Sequence, residues 1–70
     1  MKITFKANLD NASFDAWNSN GASPEAVADL FSQVVRQLNE FAMVDSPVAI
    51  GDYGTVMDSN GNYVGQWKVT

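Results

Sequence analysis

Seventy residues with four basic and eight acidic side chains, a formal net charge of −4, and 46% apolar residues describe one folded domain: too hydrophobic for a disordered tail and too short for two cores. Cysteine and histidine are both absent, which excludes disulfides, thiolate metal centres, cysteine nucleophiles and the usual neutral-pH proton shuttle. The excess of acid argues against a general nucleic-acid binder, because that affinity comes from lysine and arginine neutralising phosphates.

The chain opens with clean alternation. Ile3, Phe5, Ala7 and Leu9 fall on one side and Lys2, Thr4, Lys6 and Asn8 on the other, which predicts a half-buried strand over residues 2–9. The same alternation rules out the apolar h-region of a signal peptide, and no run approaches a membrane span, so the expectation is a soluble, cytoplasmic protein with no membrane partner. Residues 10–22 are rich in Asn, Ser, Asp and Gly and read as a long connection, with Phe14 and Trp17 spaced as on one helical turn. Two aromatics in a polar loop either close one end of the core or stand out as interface anchors; core closure is preferred, since so short a chain needs its rings inside. The Asn11-Ala12-Ser13 sequon is read as ordinary loop.

Ser23-Pro24-Glu25 is a helix start: an N-cap hydroxyl, a proline tolerated at the first position and an acid at the positive end of the dipole. Val27, Leu30, Phe31, Val34, Val35, Leu38 and Phe41 recur at spacings of three and four as one apolar stripe, and Asp29, Gln33, Arg36, Gln37 and Glu40 are assigned to the solvent side. Residues 43–49, with Pro47, connect the helix to the C-terminal part of the chain.

The last twenty residues predict a hairpin, 53–57 and 63–69, around a type I turn at Asp58-Ser59-Asn60-Gly61 whose glycine forms a bulge. The register preferred here sets Tyr53 opposite Trp67, Thr55 opposite Gly65 and Met57 opposite Tyr63 on the buried face. Val56–Val64 and Asp52–Lys68 then pair on the open face. A competing two-residue turn at Asn60-Gly61 would instead set Trp67 opposite Gly54. The predicted fold is α+β, in the order β-α-β-β: a three-stranded antiparallel sheet of spatial order 1-3-2 with one amphipathic helix on one face.

No chemistry-bearing motif is present. Asp58-Ser59-Asn60-Gly61-Asn62 lacks the glycine and acid spacing of a calcium loop. Asp52 and Asp58, the paired carboxylates, are better explained as a strand-end partner and a turn residue than as a glycosidase pair. The chain is therefore expected to have no catalytic residues, no cofactor and no metal.

A core of this size supplies only about 3–5 kcal/mol, so a protein partner or self-association, including a homodimer, is the expected further support. The expected function is a small acidic protein–protein interaction module. Its most specific version is an inhibitor or adaptor of phage or mobile-element type that sets acidic groups against a nucleic-acid-handling complex, as anti-CRISPR proteins do. The candidate interaction residues are Phe14, Trp17, Asp29, Arg36, Glu40 and the Val56–Val64 patch. The alternative is a single-stranded nucleic-acid binder using Lys2, Lys6 and Lys68 on the open sheet face, for which the preferred register provides no outward aromatic platform.

Overall fold

Alternation at the start and end of the chain and a 3.6-residue period between them give strands and a helix where those patterns lie. The computed structural model, which describes residues 1–15 and 21–70, contains strand β1 (Ile3–Ala7), a 3-10 turn (Ala12–Phe14), helix α1 (Pro24–Met43), strand β2 (Tyr53–Met57) and strand β3 (Tyr63–Val69). The sheet is antiparallel with order β1-β3-β2, and α1 packs on it, the α+β architecture that the patterns imply. No helix among the described residues is long and apolar enough to cross a membrane.

Local chemistry sets the ends of α1. Ser23 caps it by accepting from the Ala26 amide, and Pro24 and Glu25 occupy the first turn. At the other end the Ser46 N–H donates to the Phe41 carbonyl and the Asp45 N–H to the Ala42 carbonyl. This is a Schellman closure whose left-handed position holds Asp45, at φ 55°, rather than glycine. Twenty helical residues rise about 30 Å, whereas five-residue strands span about 17 Å. Phe41 in the last turn still reaches Trp67, while Met43 and Val44 at the end of the helix are exposed.

The hairpin turn is the expected one, but the register beyond it is not. The Gly61 N–H donates to the Asp58 carbonyl across a four-residue turn, with Gly61 at φ 82°. Met57 faces Tyr63 as expected, yet Val56 faces Gly65, so one extra residue of β3 is accommodated as a bulge. From there on every pairing is displaced: Thr55 faces Gln66, Gly54 faces Trp67 and Tyr53 faces Lys68. The competing pairing of Gly54 with Trp67 is thus the real one, and a bulge rather than a shorter turn produces it.

Two consequences correct the expectations from sequence. Val56 is completely buried and Val64 packs against the core, so no Val56–Val64 patch lies on the open face. Asp52 does not meet Lys68; its carboxylate accepts from the Ala49 amide, while Lys68 lies between Thr4 and Tyr53. The physical reason is the indole. Trp67 needs a neighbour without a side chain, because a Cβ on Gly54 would overlap both the ring and the Gln37 side chain. Gly54 is the position in β2 that meets this need.

The core consists of Phe14, Leu30 and Val56 with Phe5, Ala7, Leu9, Ala22, Ala26, Val34 and Val64 packed around them, and Trp67 and Val69 are buried as well. Gln33 and Gln37, expected on the solvent side of α1, instead turn toward the sheet. The Gln33 side chain donates to the Met57 carbonyl (2.7 Å) and accepts from the Met57 amide (2.9 Å). Gln37 donates to the Thr55 carbonyl (2.7 Å) and accepts from Trp67 Nε1 (2.7 Å). The Met57 and Thr55 groups belong to the outer edge of β2, so the two side-chain amides act as a short surrogate strand along it. That engagement rolls the helix toward β2 and leaves the far flank of the apolar stripe, Phe31 and Val35, half exposed at 51% and 56%.

Candidate functional site

The uncovered face of the sheet is set directly by the register. Thr4 and Lys6 of β1, Gln66 and Lys68 of β3 and Tyr53 and Thr55 of β2 form transverse rows, and Met57 and Tyr63 extend the face toward the turn. All eight side chains are exposed and none is acidic. Lys2, which pairs with Thr70 through both backbone groups, prolongs the face at one end. Three of the four basic residues of the molecule therefore share a face whose strand side chains include no acid, although the whole chain carries −4 and Asp10 borders the face beside Tyr63.

Tyr53 and Tyr63 stand out on this face, at 69% and 74% exposure. The register expected from sequence turns both inward; alternation set from Trp67 through the displaced pairing turns them out. On either side of Gln66 lies a shallow depression. One is lined by Tyr53, Ile50 and Lys68, the other by Tyr63, Thr55 and Lys6. Each thus combines one aromatic ring with one ammonium group.

The other candidate residues are scattered. Phe14 is 1% exposed and belongs to the core; it closes the end of the core as preferred and is not available as an interface anchor. Trp17 lies outside the described residues. Asp29, Arg36 and Glu40 are exposed along the helix, where Asp29 accepts from Gln33 Nε2 at 3.0 Å. Arg36 sits beside Ala28, Phe31, Ser32 and Val35 on the flank turned away from β2.

Asp58 is the one buried charged residue among those described, and its environment is structural. Its carboxylate accepts from the Asn60 and Asn62 amides, from the Asn62 side chain and from Asn11 Nδ2. The backbone hydrogen bond from Asn62 is foremost in holding its pKa below the ordinary aspartate value; burial pushes the other way and is outweighed by the bonds together. Asn11 also caps the 3-10 turn by accepting from the Ser13 amide. The carboxylate therefore ties the hairpin turn to the connection that carries Phe14. Among the described residues no three acidic side chains gather where they could hold a metal ion.

What sequence reasoning missed is the pair of outward tyrosines, and a signal existed: Gly54 and Gly65 are the only strand positions able to admit a close neighbour, and giving Gly54 to Trp67 fixes every other side chain. The surface so assembled is accessible and sets aromatic, hydroxyl and ammonium groups side by side. When the chain is compared with known protein families, curated proteins and solved structures, none matches it.

Proposed function

We propose that this chain is a non-catalytic protein-binding module whose working surface is the open face of its sheet. The observation that carries the reading is the exposure of Tyr53 and Tyr63 beside Met57 and Ile50 on a face whose strand side chains include no acid. Large rigid rings supply most of the binding energy of interfaces, and a rim of lysines favours an acidic partner surface. The working surface thus moves from the acidic helix, with Asp29 and Glu40, to the sheet. The mobile-element inhibitor version, which relies on acidic groups facing a basic groove, takes no support from the sheet face.

A second reading is favoured by one specific feature. The two depressions, each with a tyrosine and a lysine, suit consecutive bases and phosphates of a single strand, in which rings stack on bases and ammonium groups meet the backbone. The net charge of −4 works against this by repelling polyanions at long range; for that reason the protein partner comes first.

Affinity capture from nuclease-treated host lysates separates the readings. The expected outcome is a protein retained by the wild-type chain and by a Glu40→Gln control but lost with Tyr53→Ser/Tyr63→Ser. Retention that ignores the tyrosines, or no specific protein across several hosts, would count against the reading. Titration of a labelled single-stranded oligonucleotide at low and high salt addresses the second reading: binding that is salt-sensitive and tyrosine-dependent would replace the first.

A further inference from the structure

The two edges of the sheet are treated differently. On β2, Met57 and Thr55 turn their outer backbone groups toward Gln33 and Gln37 and are satisfied there. On β1 the bonded residues are the even ones: Lys2 exchanges both bonds with Thr70, and the Asn8 amide donates to Val64. The N–H and C=O groups of Ile3, Phe5 and Ala7 therefore point away from β3, and no strand pairs with them among the described residues. An open edge of this kind is a template for another strand unless something blocks it.

Beside that edge the apolar cover is incomplete on the helix side. Phe5 packs against Phe31 with ring centroids 4.9 Å apart and the rings tilted by 37°. Yet Ile3 remains 52% exposed, and Phe31 and Val35 present their outer halves to solvent along a groove with Ala28 and Ser32, at whose rim stands Arg36. A strand laid against β1 would place its own inner side chains beside Ile3 and Phe5, next to this flank of α1. It would complete the sheet and the core together.

We propose that the occupant is β1 of a second copy, pairing antiparallel about Phe5 so that two three-stranded sheets become one of six strands with both helices on the same face. The charge pattern on β1 selects this register. Pairing Phe5 with its own counterpart sets Ile3 opposite Ala7, Lys6 opposite Thr4 and Lys2 opposite Asn8 of the second copy, so no lysine faces a lysine. A slide of two residues one way sets Lys2 opposite Lys6, and a slide the other way sets Lys6 opposite its own copy, both penalised as like charges directly opposed. A slide of one residue would turn bonded backbone groups to the interface and reverse the faces. The arrangement is self-complementary, as a twofold interface must be, and brings Ile3, Phe5, Phe31 and Val35 of both copies to one apolar centre. The lysines of β1 thus fix the register of pairing rather than forbid it. The β1 edge and the tyrosine face are separate surfaces, and pairing at the first stands or falls independently of binding at the second.

Sedimentation equilibrium over a range of chain concentrations tests it, with two variants chosen to leave the monomer's own ladder intact. The wild-type chain is expected to approach twice its 7.6 kDa mass as concentration rises. Ile3→Pro removes an outward N–H that bonds nothing within the described monomer, so it should weaken the dimer on the order of tenfold or more with an unchanged dilute-solution circular dichroism spectrum. Asn8→Asp keeps a side-chain acceptor for the Asp10 amide, which Asn8 now serves at 2.8 Å. It sets a carboxylate opposite Lys2 of the second copy, and should tighten the dimer several-fold at low salt and less at high salt. A chain that stays monomeric up to millimolar concentration, or a dimer that neither substitution moves, would overturn the proposal.

Discussion

Trp67 is the residue on which the internal geometry turns. Its indole is 1% exposed, lies edge-on to Phe41 with centroids 6.2 Å apart, and donates its one N–H to Gln37. The same Gln37 amide donates to the Thr55 carbonyl on the edge of β2, so a single side chain satisfies a buried ring donor and an edge-strand acceptor. Gly54 makes this possible by contributing no Cβ. Gln37→Ala should leave the indole N–H buried and unpaired, an omission that costs about 1–3 kcal/mol. Chemical denaturation is expected to show a loss of that size, with Trp67 fluorescence shifting toward the red; an unchanged midpoint would mean that the bond carries no weight.

At the scale of elements, the hairpin turn and the helix ends explain themselves locally, whereas pairing beyond the turn requires the tertiary structure. Asp58 organises the turn through its two backbone bonds and ties it to Asn11. Its folded-state pKa is depressed, so the unfolded chain takes up the proton first as pH falls. The stabilisation is present in full above the ordinary carboxylate range and is lost as pH drops through the lower, folded-state value. Denaturation midpoints measured from neutral to strongly acid pH should fall on acidification. The fall should be shallower in Asp58→Asn, and the share due to Glu25 should remain, since that pKa is likewise lowered, foremost by a backbone hydrogen bond and then by Ser23. Parallel acid limbs in the two proteins would contradict this role.

The elements of the fold were legible because they rest on short-range signals: the alternation over 2–9, of which Ile3–Ala7 is strand, the cap at Ser23, and the turn glycine at 61. The hairpin register was not, because hydrophobic alternation in Tyr53–Met57 and Tyr63–Val69 scores both pairings alike. Choosing between them needs the volume of Trp67 matched against the absent side chain of Gly54, across strands and under a helix. Gln33 and Gln37 escape a sequence reading for a related reason. Polar residues at the margin of an apolar stripe look like solvent-facing ones until an edge strand with free backbone groups is brought within reach. The candidate site on the open face was hidden with the register, since the tyrosines turn outward only with the pairing of Trp67 and Gly54.

At the scale of the whole molecule, one helix serves a three-stranded sheet unevenly. It seals β2 with two glutamine side chains and covers Trp67, and in doing so rolls away from β1, leaving that edge open and the flank at Phe31 and Val35 half exposed. The opposite side of the sheet stays uncovered and collects the tyrosines and lysines. A single helix packed on one side of a sheet leaves the other side to solvent. Amide hydrogen exchange, followed residue by residue in dilute solution, reads this asymmetry edge by edge. Slow exchange is expected at Met57, whose edge amide donates to Gln33, and fast exchange at Ile3, Phe5 and Ala7, whose amides point away from β3 and meet no strand among the described residues. Equal protection of the two edges at a concentration where the chain is monomeric, or a fast-exchanging Met57, would contradict the uneven placement of the helix.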